Sequence, residues 1–410
     1  MPSSISSSDY LRQPEGGQPD RAGAGDEYAR QTAADRPGIA QPVPKRPVPR
    51  QPWGKILLAM IVLVALLVGS WEAYWRSWGS VPSIGNTDGL WAIQRRRIDA
   101  GEGNATVLIG ASRTFFDMQL PIWESLDGER PIQLSLEGTS PLRFAEDLAA
   151  DPKFVGRVLI GVEPQLIFTG YGIRTAALDY ARKESPSQRI GQWLSMHFLE
   201  PYLAFYDPDY ALAAVLARQP WPQRPGKKWL LDVRRLSLHQ ADRNGFLWDK
   251  IASDPEYGAL ARQIWRQFFV LPDDAPPPEI LAKIEAEQIQ RMAKAARTLR
   301  ARGVQVIFVR FPSGGEFLDF EDHAWPRART YDALIAASGC PGIHFEDYPE
   351  LQGYYMPEWS HMTHSEAERF TAALYRIIKR DFWRAGAESG QGAGTAGSPT
   401  STAATRSIMH

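Results

Sequence analysis

A serine lies directly after a short apolar run, at a position where a buried strand should give way to a turn. The segment is Ile109-Gly110-Ala111-Ser112-Arg113. A hydroxyl on such a turn is exposed at the end of the strand, and the backbone N–H groups of the same turn can face a developing oxyanion. Ser112 is therefore a candidate nucleophile, although the G-x-S-x-G elbow is absent and small residues after strands are common.

A serine nucleophile needs a base, and the chain has seven histidines from which to supply one. Those that fall in a predicted insertion, loop, strand or tail are His197, His239, His323, His344 and His410. The other two, His361 and His364, precede the last predicted helix. Glu358 stands three residues before His361, a spacing that lets its carboxylate fold back and accept the imidazole N–H. The alternative is that either histidine only caps the following helix.

A metal site is the other chemistry that this segment suggests. Glu358, His361, His364 and Glu368 are close in sequence, but their spacing is not H-E-x-x-H. The single cysteine, Cys340, excludes both an internal disulfide and a cysteine-rich zinc site. We therefore expect neither a metal nor another cofactor.

Short β-rich runs alternate with helical patterns around these residues. The predicted strands are 106–109, 132–136, 157–162, 304–309 and 342–345, and the predicted helices are 141–150, 278–302, 327–338 and 365–383. This alternation predicts an α/β fold with a mostly parallel sheet between two helical layers, and ligands bind such sheets beyond the C-terminal ends of the strands. Arg310 lies at one of these ends, where we expect it either to hold an anionic or hydroxylated substrate or to belong to an ordinary turn.

The near-neutral charge argues against nucleic acid as a partner. The 410 residues carry 46 Lys and Arg and 47 Asp and Glu, whereas phosphate neutralisation usually needs a strongly basic face. Residues 1–52 and 386–410 are rich in small and polar side chains and are predicted to be disordered tails. The folded part is then 80–385, which we expect to be one domain.

Residues 53–75 are predicted to form a transmembrane helix. The run Ile56 to Trp71 contains no charge and, with Trp53 and Gly54, approaches the roughly 20 residues that span a bilayer. The alternatives are a signal peptide, for which the run starts late in the chain, and a buried core helix, for which it is too uniformly apolar. Basic residues precede it, so the positive-inside rule predicts a cytoplasmic N-terminus and, in a bacterium, a periplasmic domain on the inner membrane.

Residues 174–277 interrupt the alternation. They are rich in aromatic residues and in helical patterns. We expect a helical insertion over the strand ends, which either acts as a lid or forms an extra layer with no role in binding.

The order of the motifs resembles the SGNH (GDSL-type) hydrolases, and more closely the membrane-anchored branch associated with O-acylation of bacterial polysaccharides. In that resemblance Gly110 to Arg113 look like the nucleophile block. Residues Leu134 to Ser140 look like the second block, in which Gly138 would give a backbone N–H to the oxyanion hole. Residues Glu358 to Met362 look like the terminal Asp-x-x-His block. The resemblance implies the three-layer, flavodoxin-like fold of that family.

Two departures from the family pattern concern acidic residues. Glu358 stands where the family has Asp, and Glu163 stands in Gly161 to Gln165, where the wider family has Gly-x-Asn-Asp. A charged Glu163 would repel an oxyanion unless it is protonated or turned away. The oxyanion hole would then rest on the N–H groups of Ser112 and Gly138, assisted by Arg113 or Arg310.

The resemblance implies a serine esterase or O-acyl(acetyl)transferase that acts on a polysaccharide or cell-envelope glycan. Ser112 would attack the acyl carbonyl, His361 would move the proton and Glu358 would orient His361. A multi-span membrane acyltransferase is the partner that this branch suggests. The alternative is a non-catalytic module with the same fold, which binds a glycan or the membrane acyltransferase. The departures from the family pattern at Glu163 and Glu358 favour this alternative.

Overall fold

The structure is a computed structural model that describes residues 51–219, 235–270 and 276–383. The predicted disordered tails lie outside the described residues, except for positions 51 and 52. The first α-helices are α1 (Trp53–Ser77), α2 (Asp88–Asp99), α3 (Ser112–Phe116), α4 (Leu120–Asp127), α5 (Leu142–Ala150), α6 (Pro164–Ile167), α7 (Ala176–Lys183) and α8 (Pro186–Phe198). They are followed by α9 (Leu212–Ala217), α10 (Lys250–Ser253), α11 (Pro255–Arg266), α12 (Pro278–Ala301), α13 (Gly315–Ala324), α14 (Tyr331–Ser338) and α15 (His364–Ile378). The strands are β1 (Thr106–Ile109), β2 (Ile132–Gln133), β3 (Arg157–Gly161), β4 (Ser237–His239), β5 (Gly245–Leu247), β6 (Gln305–Arg310) and β7 (Gly342–His344).

A five-stranded sheet, wholly parallel in its described pairings, forms the centre of the domain. Its order is β2-β1-β3-β6-β7. Val107 of β1 pairs with Ile132 on one side and with Val158 on the other. The strands are rich in Val, Ile and Leu and largely buried, as expected for a parallel sheet covered on both faces. The predicted mostly parallel sheet is thus confirmed.

Two apolar cores, one on each face, hold the helices to the sheet. Side chains alternate along a strand, so Val107 and Ile109 belong to one core and Leu108 to the other. The first core contains residues of α2, α5, α12 and α14: Trp91, Ile98, Phe144, Leu148, Met292, Leu299 and Leu334. The second contains residues of α4 and α15: Leu120, Trp123, Phe370, Leu374 and Ile378. The helices therefore form layers on both sides of the sheet.

The order of the strands reverses between β1 and β3. Counted along the chain within this sheet alone, the strands lie in the order 2-1-3-4-5. In open α/β sheets the crevice at such a reversal, outside the carboxyl ends of the strands, is the usual place for a ligand. The loops after β1 and β3 carry Ser112 and Glu163 to this crevice.

Several predicted elements differ from the observed ones at their ends. The second strand stops at Gln133. The N–H groups of Leu134 and Leu136 still donate to the carbonyls of Leu108 and Gly110, but the carbonyl of Leu134 accepts the indole N–H of Trp91. The last α-helix ends at Ile378 and continues as a π-helical turn, Lys379–Trp383.

The helix α1 is long and apolar enough to cross a membrane, and it is the one such helix among the described residues. Its apolar residues from Ile56 to Val68 are all exposed. The chain divides into two compact units within this helix, after Leu63.

The segment 174–277 is more varied than the helical insertion that the sequence predicts. Its described residues form α7 to α11 and also an antiparallel hairpin of β4 and β5. Each of these strands has three residues, which is too short for a sequence pattern to reveal. Arg243, in the turn that joins them, has a positive φ of 65°. Whether the segment acts as a lid stays a prediction.

Candidate active site

A buried glutamate folds back on a buried histidine in the loop before α15. Oε1 of Glu358 accepts hydrogen bonds from the backbone N–H of His361 at 2.6 Å and from its Nδ1 at 2.9 Å. Both side chains are fully buried. Because the carboxylate fixes the proton on Nδ1, it leaves Nε2 free to accept one.

The other oxygen of Glu358 is held by the helix α11. Trp265 donates its indole N–H to Oε2, and Arg262 donates from Nη1 to the carbonyl of Pro357 at 2.7 Å. The indole ring also lies 6.1 Å from the imidazole of His361, between ring centroids. The sequence analysis missed both residues, since nothing in the pattern of 174–277 indicates which helix reaches the loop.

The turn between Glu358 and His361 is strained. Trp359 has a φ of 75°, which bulky residues rarely adopt. Its carbonyl accepts the N–H of Gly314 at 2.8 Å, and the guanidinium of Arg266 lies 4.9 Å from the centre of its ring. Backbone strain of this kind persists only where the surroundings fix it, and it is concentrated at functional sites.

Ser112 is the first residue of α3, which is separated from β1 by two residues, Gly110 and Ala111. Ser112 is half-buried, whereas the rest of this short helix is buried. Thr114 lies so close to β1 and β3 that a Cβ at Gly161 would stand 1.8 Å from its Oγ1. A glycine at 161 therefore allows α3 to sit over the point where the strand order reverses.

Contacts along α3 place it against the histidine loop. The ring of Phe116 lies 4.9 Å from the imidazole of His361, between centroids. Arg113 donates from Nε to Ser360 Oγ at 3.3 Å, and Asp117 accepts the N–H of Met362 at 3.0 Å. The structure therefore brings the loops of Ser112 and His361 together from opposite ends of the domain sequence.

The free nitrogen of His361 has no partner among the described residues. Its Nε2 is buried without a hydrogen bond, and Ser112 Oγ likewise makes none with a described residue. Nucleophile–base bonds are often long in unliganded enzymes and tighten with substrate. Although burial alone would lower it, the pKa of His361 is raised by the charge and hydrogen bond of Glu358 and by the charge of Asp117.

Asp117 is a second acid beside His361. Burial raises its pKa to about 7, against the opposing effects of His361, the Met362 N–H and Arg113. One of its oxygens accepts the Met362 N–H, while Oδ2 is buried without a partner among the described residues. Near neutral pH this carboxyl and the imidazole therefore influence each other's protonation.

Glu163 lies under the start of α3. Its Oε1 accepts the backbone N–H groups of Arg113 at 3.1 Å and Thr114 at 3.3 Å. Burial raises the pKa of Glu163, although the charge of Arg113 and the Thr114 N–H oppose this. Its Oε2 is buried and has no partner among the described residues. Raising the pKa favours the neutral acid, which can donate a proton from that second oxygen.

Gly138 lies in the loop after β2, next to the end of β1. It is half-buried with a φ of 58°, and its carbonyl accepts the N–H of Ile173 at 3.3 Å. The amide N–H groups of Ser112 and Gly138 donate no hydrogen bond to a described residue. Both amides are thus available to an oxygen in the crevice.

Arg113 and Arg310 are bound to a buried glutamate that the sequence analysis did not single out. Glu321 of α13 pairs with Arg113 Nη1 at 3.0 Å and with Arg310 Nη2 at 2.9 Å. It also accepts the hydroxyl of Ser313 at 2.6 Å. These contacts support a positioning role for the two arginines, and a direct contact with substrate stays a prediction.

The second histidine of the loop lies away from Glu358. His364 stacks on Phe246 with 4.1 Å between ring centroids, and its Nε2 is 3.9 Å from Glu368. In the part of the chain that the structure describes, no group of three or more His, Cys, Asp or Glu residues could hold a metal ion.

The comparisons with known proteins identify no relative: no protein-family model matches the chain, and no curated protein is significantly similar to it.

Proposed function

We propose that this protein is an SGNH-like serine esterase or O-acyltransferase, anchored to a membrane by α1, whose domain lies outside the cytoplasm. The observation that carries the proposal is the buried Glu358–His361 pair, whose free Nε2 lies in a loop packed against the helix that begins with Ser112. In such a set of groups the hydroxyl is the nucleophile, the imidazole is its base and the carboxylate orients the imidazole.

In the proposed mechanism, Ser112 Oγ attacks the carbonyl carbon of an ester while His361 Nε2 takes the hydroxyl proton. Glu358 stabilises the imidazolium through Nδ1. When the tetrahedral intermediate collapses, the ester C–O bond breaks and His361 returns the proton to the leaving alcohol. Water, or a hydroxyl of the acceptor, then attacks the acyl-enzyme by the same steps and releases Ser112.

The amide N–H groups of Ser112 and Gly138 would stabilise the oxyanion. Both are free of other described acceptors, and the loops that carry them meet beside the end of β1. Such donors act most strongly when they are fixed before the reaction, and the loss of one typically costs about a hundredfold in rate.

Glu163 fits this site as a neutral acid. Its Oε1 already accepts two backbone N–H groups, and burial raises its pKa. As a neutral acid it adds no charge repulsion, and its protonated Oε2 is a donor where the wider family has an asparagine amide.

We expect Glu163→Gln to keep kcat/KM within about threefold of wild type and Glu163→Ala to lower it about a hundredfold. The amide of glutamine reproduces the neutral acid, with one oxygen to accept and one nitrogen to donate, whereas alanine removes both.

As pH rises through the raised pKa of Glu163, the wild type should lose activity because a carboxylate forms beside the oxyanion. The glutamine variant should keep its activity. A glutamine variant as inactive as alanine would contradict the assignment. Steady-state hydrolysis of p-nitrophenyl acetate across pH measures both effects.

The substrate, partner and location follow from the resemblance and from α1. We infer an acetyl ester or acceptor hydroxyl on a polysaccharide or cell-envelope glycan, and a multi-span acyltransferase as partner. The positive residues before α1 support a domain in the periplasm, anchored to a bacterial inner membrane.

Covalent labelling tests the proposal. The full-length protein, purified in detergent, is treated with a fluorophosphonate and digested, and the modified peptide is identified by mass spectrometry. We expect the adduct on Ser112, because its helix packs against the loop that carries the free Nε2 of His361. A heat-unfolded sample is the control for non-specific reaction. If the protein forms no adduct and does not hydrolyse p-nitrophenyl acetate, the assignment as an enzyme is overturned and the non-catalytic module is favoured.

A further inference from the structure

The helix α8 turns its apolar side away from the domain. Ile190, Trp193, Leu194 and Phe198 recur at helical spacing and are between 45% and 59% exposed. We call these residues the outer face of α8. A surface helix normally buries such a stripe, and contiguous exposed apolar surface marks a contact with a protein or a membrane.

The opposite side of α8 is polar and faces inward. Gln192 accepts the hydroxyl of Thr87 at 2.6 Å, and Ser195 donates to Glu200 at 2.5 Å. Gln188 and Gln192 also line a cavity of about 520 Å³. No residue of α8 is buried. The helix is therefore held by polar contacts, which leaves the outer face uncovered by the described residues.

More exposed apolar and aromatic residues follow α8 in the chain. Tyr202 and Tyr206 are 64% and 42% exposed, and Leu212 and Leu216 of α9 are 63% and 46% exposed. Tyrosine and tryptophan mixed with aliphatic residues are typical of surfaces that are apolar on one side and wet on the other.

The stretch between α8 and α9 is tied to the last turns of α1. Arg76 donates to the carbonyl of Tyr202 at 2.9 Å, and the carboxylate of Glu72 accepts the N–H groups of Ala204 and Phe205, each at 3.0 Å. The ring of Trp75 stacks on that of Tyr210, with 4.2 Å between centroids. Glu72, Trp75 and Arg76 come directly after the apolar run of α1, so the stretch that joins α8 to α9 lies beside the end of that run.

We propose that α8 lies along the membrane that α1 crosses, with its outer face in the headgroup region of the lipid. Amphipathic helices bind in this way when their apolar side enters the boundary between headgroups and acyl chains, about 5–10 Å deep. A bilayer is favoured over a protein partner because the surface continues from the end of a membrane-spanning helix. The proposal rests on α1 crossing the membrane and is independent of the ester chemistry.

Fluorescence quenching in proteoliposomes tests the proposal on the full-length chain. Cys340 is first replaced by alanine, and single cysteines are introduced by Leu194→Cys on the outer face, Lys294→Cys on the exposed side of α12 and Leu66→Cys in α1. Each is labelled with bimane, and the protein is reconstituted in phosphatidylethanolamine and phosphatidylglycerol. A doxyl-labelled lipid reports contact with the bilayer, and iodide reports contact with water. Unchanged unfolding temperatures show that the variants fold.

We expect doxyl lipid to quench the labels at 194 and 66 several-fold more strongly than the label at 294. We expect iodide to quench only the label at 294. If iodide reaches 194 as readily as 294, the outer face lies in water and the proposal is overturned. If neither quencher reaches 194, a protein covers the face, which also overturns it. Weak lipid quenching at 66 would remove the premise that α1 spans the bilayer.

Discussion

Replacing Ser112 with alanine should lower kcat/KM for ester hydrolysis by about 10⁴-fold or more, and His361→Asn should cost about as much. Without the hydroxyl there is no acyl-enzyme, and without an imidazole nothing takes the proton from Ser112 Oγ. Because the two groups act as a unit, the double variant should be no worse than either single one. Hydrolysis of p-nitrophenyl acetate by the purified full-length variants measures these losses.

Two matched substitutions separate loss of chemistry from general damage. Ser125→Ala removes a serine that bonds only the carbonyl of Ile122 near the surface, and His364→Asn removes the neighbouring, half-exposed histidine. Both should keep most of the activity. If the losses from Ser112→Ala and His361→Asn multiply in the double variant, or if His364→Asn is as damaging as His361→Asn, the assignment of nucleophile and base is wrong.

Replacing Glu321 with glutamine should lower the free energy of unfolding by about 3–5 kcal/mol. Its carboxylate pairs with both Arg113 and Arg310, and all three side chains are at most 4% exposed. Although burial would raise it, the pKa of Glu321 is lowered by the two guanidinium groups, so the ionised form is the one that is bound. Its loss leaves two cations buried without their counter-ion, which costs far more than the pair itself contributes.

Thermal unfolding in detergent measures the effect of Glu321→Gln, which we expect to lower Tm by roughly 10 °C. Glu146→Gln is the matched control, because Glu146 and Arg291 form a pair at 3.0 Å in which both side chains are about 40% exposed. Exposed pairs contribute about 1 kcal/mol or less. If both variants unfold at the same temperature, the buried cluster does not stabilise the domain in this way.

The sheet and part of the site could be predicted because local patterns encode them. Short runs of Val, Ile and Leu between helical patterns predict a parallel sheet, and parallel strands bring the loops at their carboxyl ends to one edge. Ser112 and the loop of His361 were therefore expected in the same region, and the spacing of Glu358 predicted the hydrogen bond that the structure has. The catalytic roles of these residues stay predictions.

What the sequence could not provide are contacts between distant elements. Trp265 holds Glu358 across 93 positions, and Glu321 joins Arg113 across 208. Neither partner has a local signature, since a tryptophan or a glutamate on an amphipathic helix is ordinary. The direction in which the pKa of Glu163 shifts was out of reach for a related reason: it depends on burial, which raises the pKa, and on Arg113 and the Thr114 N–H, which oppose this, and only the folded chain brings these together.

The hydrogen bond from Trp265 to Glu358 limits how far this domain could be shortened. A minimal version that joins β3 to β6 without residues 174–277 would keep the pairing of those strands, since Leu159 still lies opposite Ile307. It would nevertheless lose α11 and with it the donors of Trp265 and Arg262 that hold Glu358 and its loop. Engineering that treats the segment as removable would thus keep this strand pairing and misalign the base.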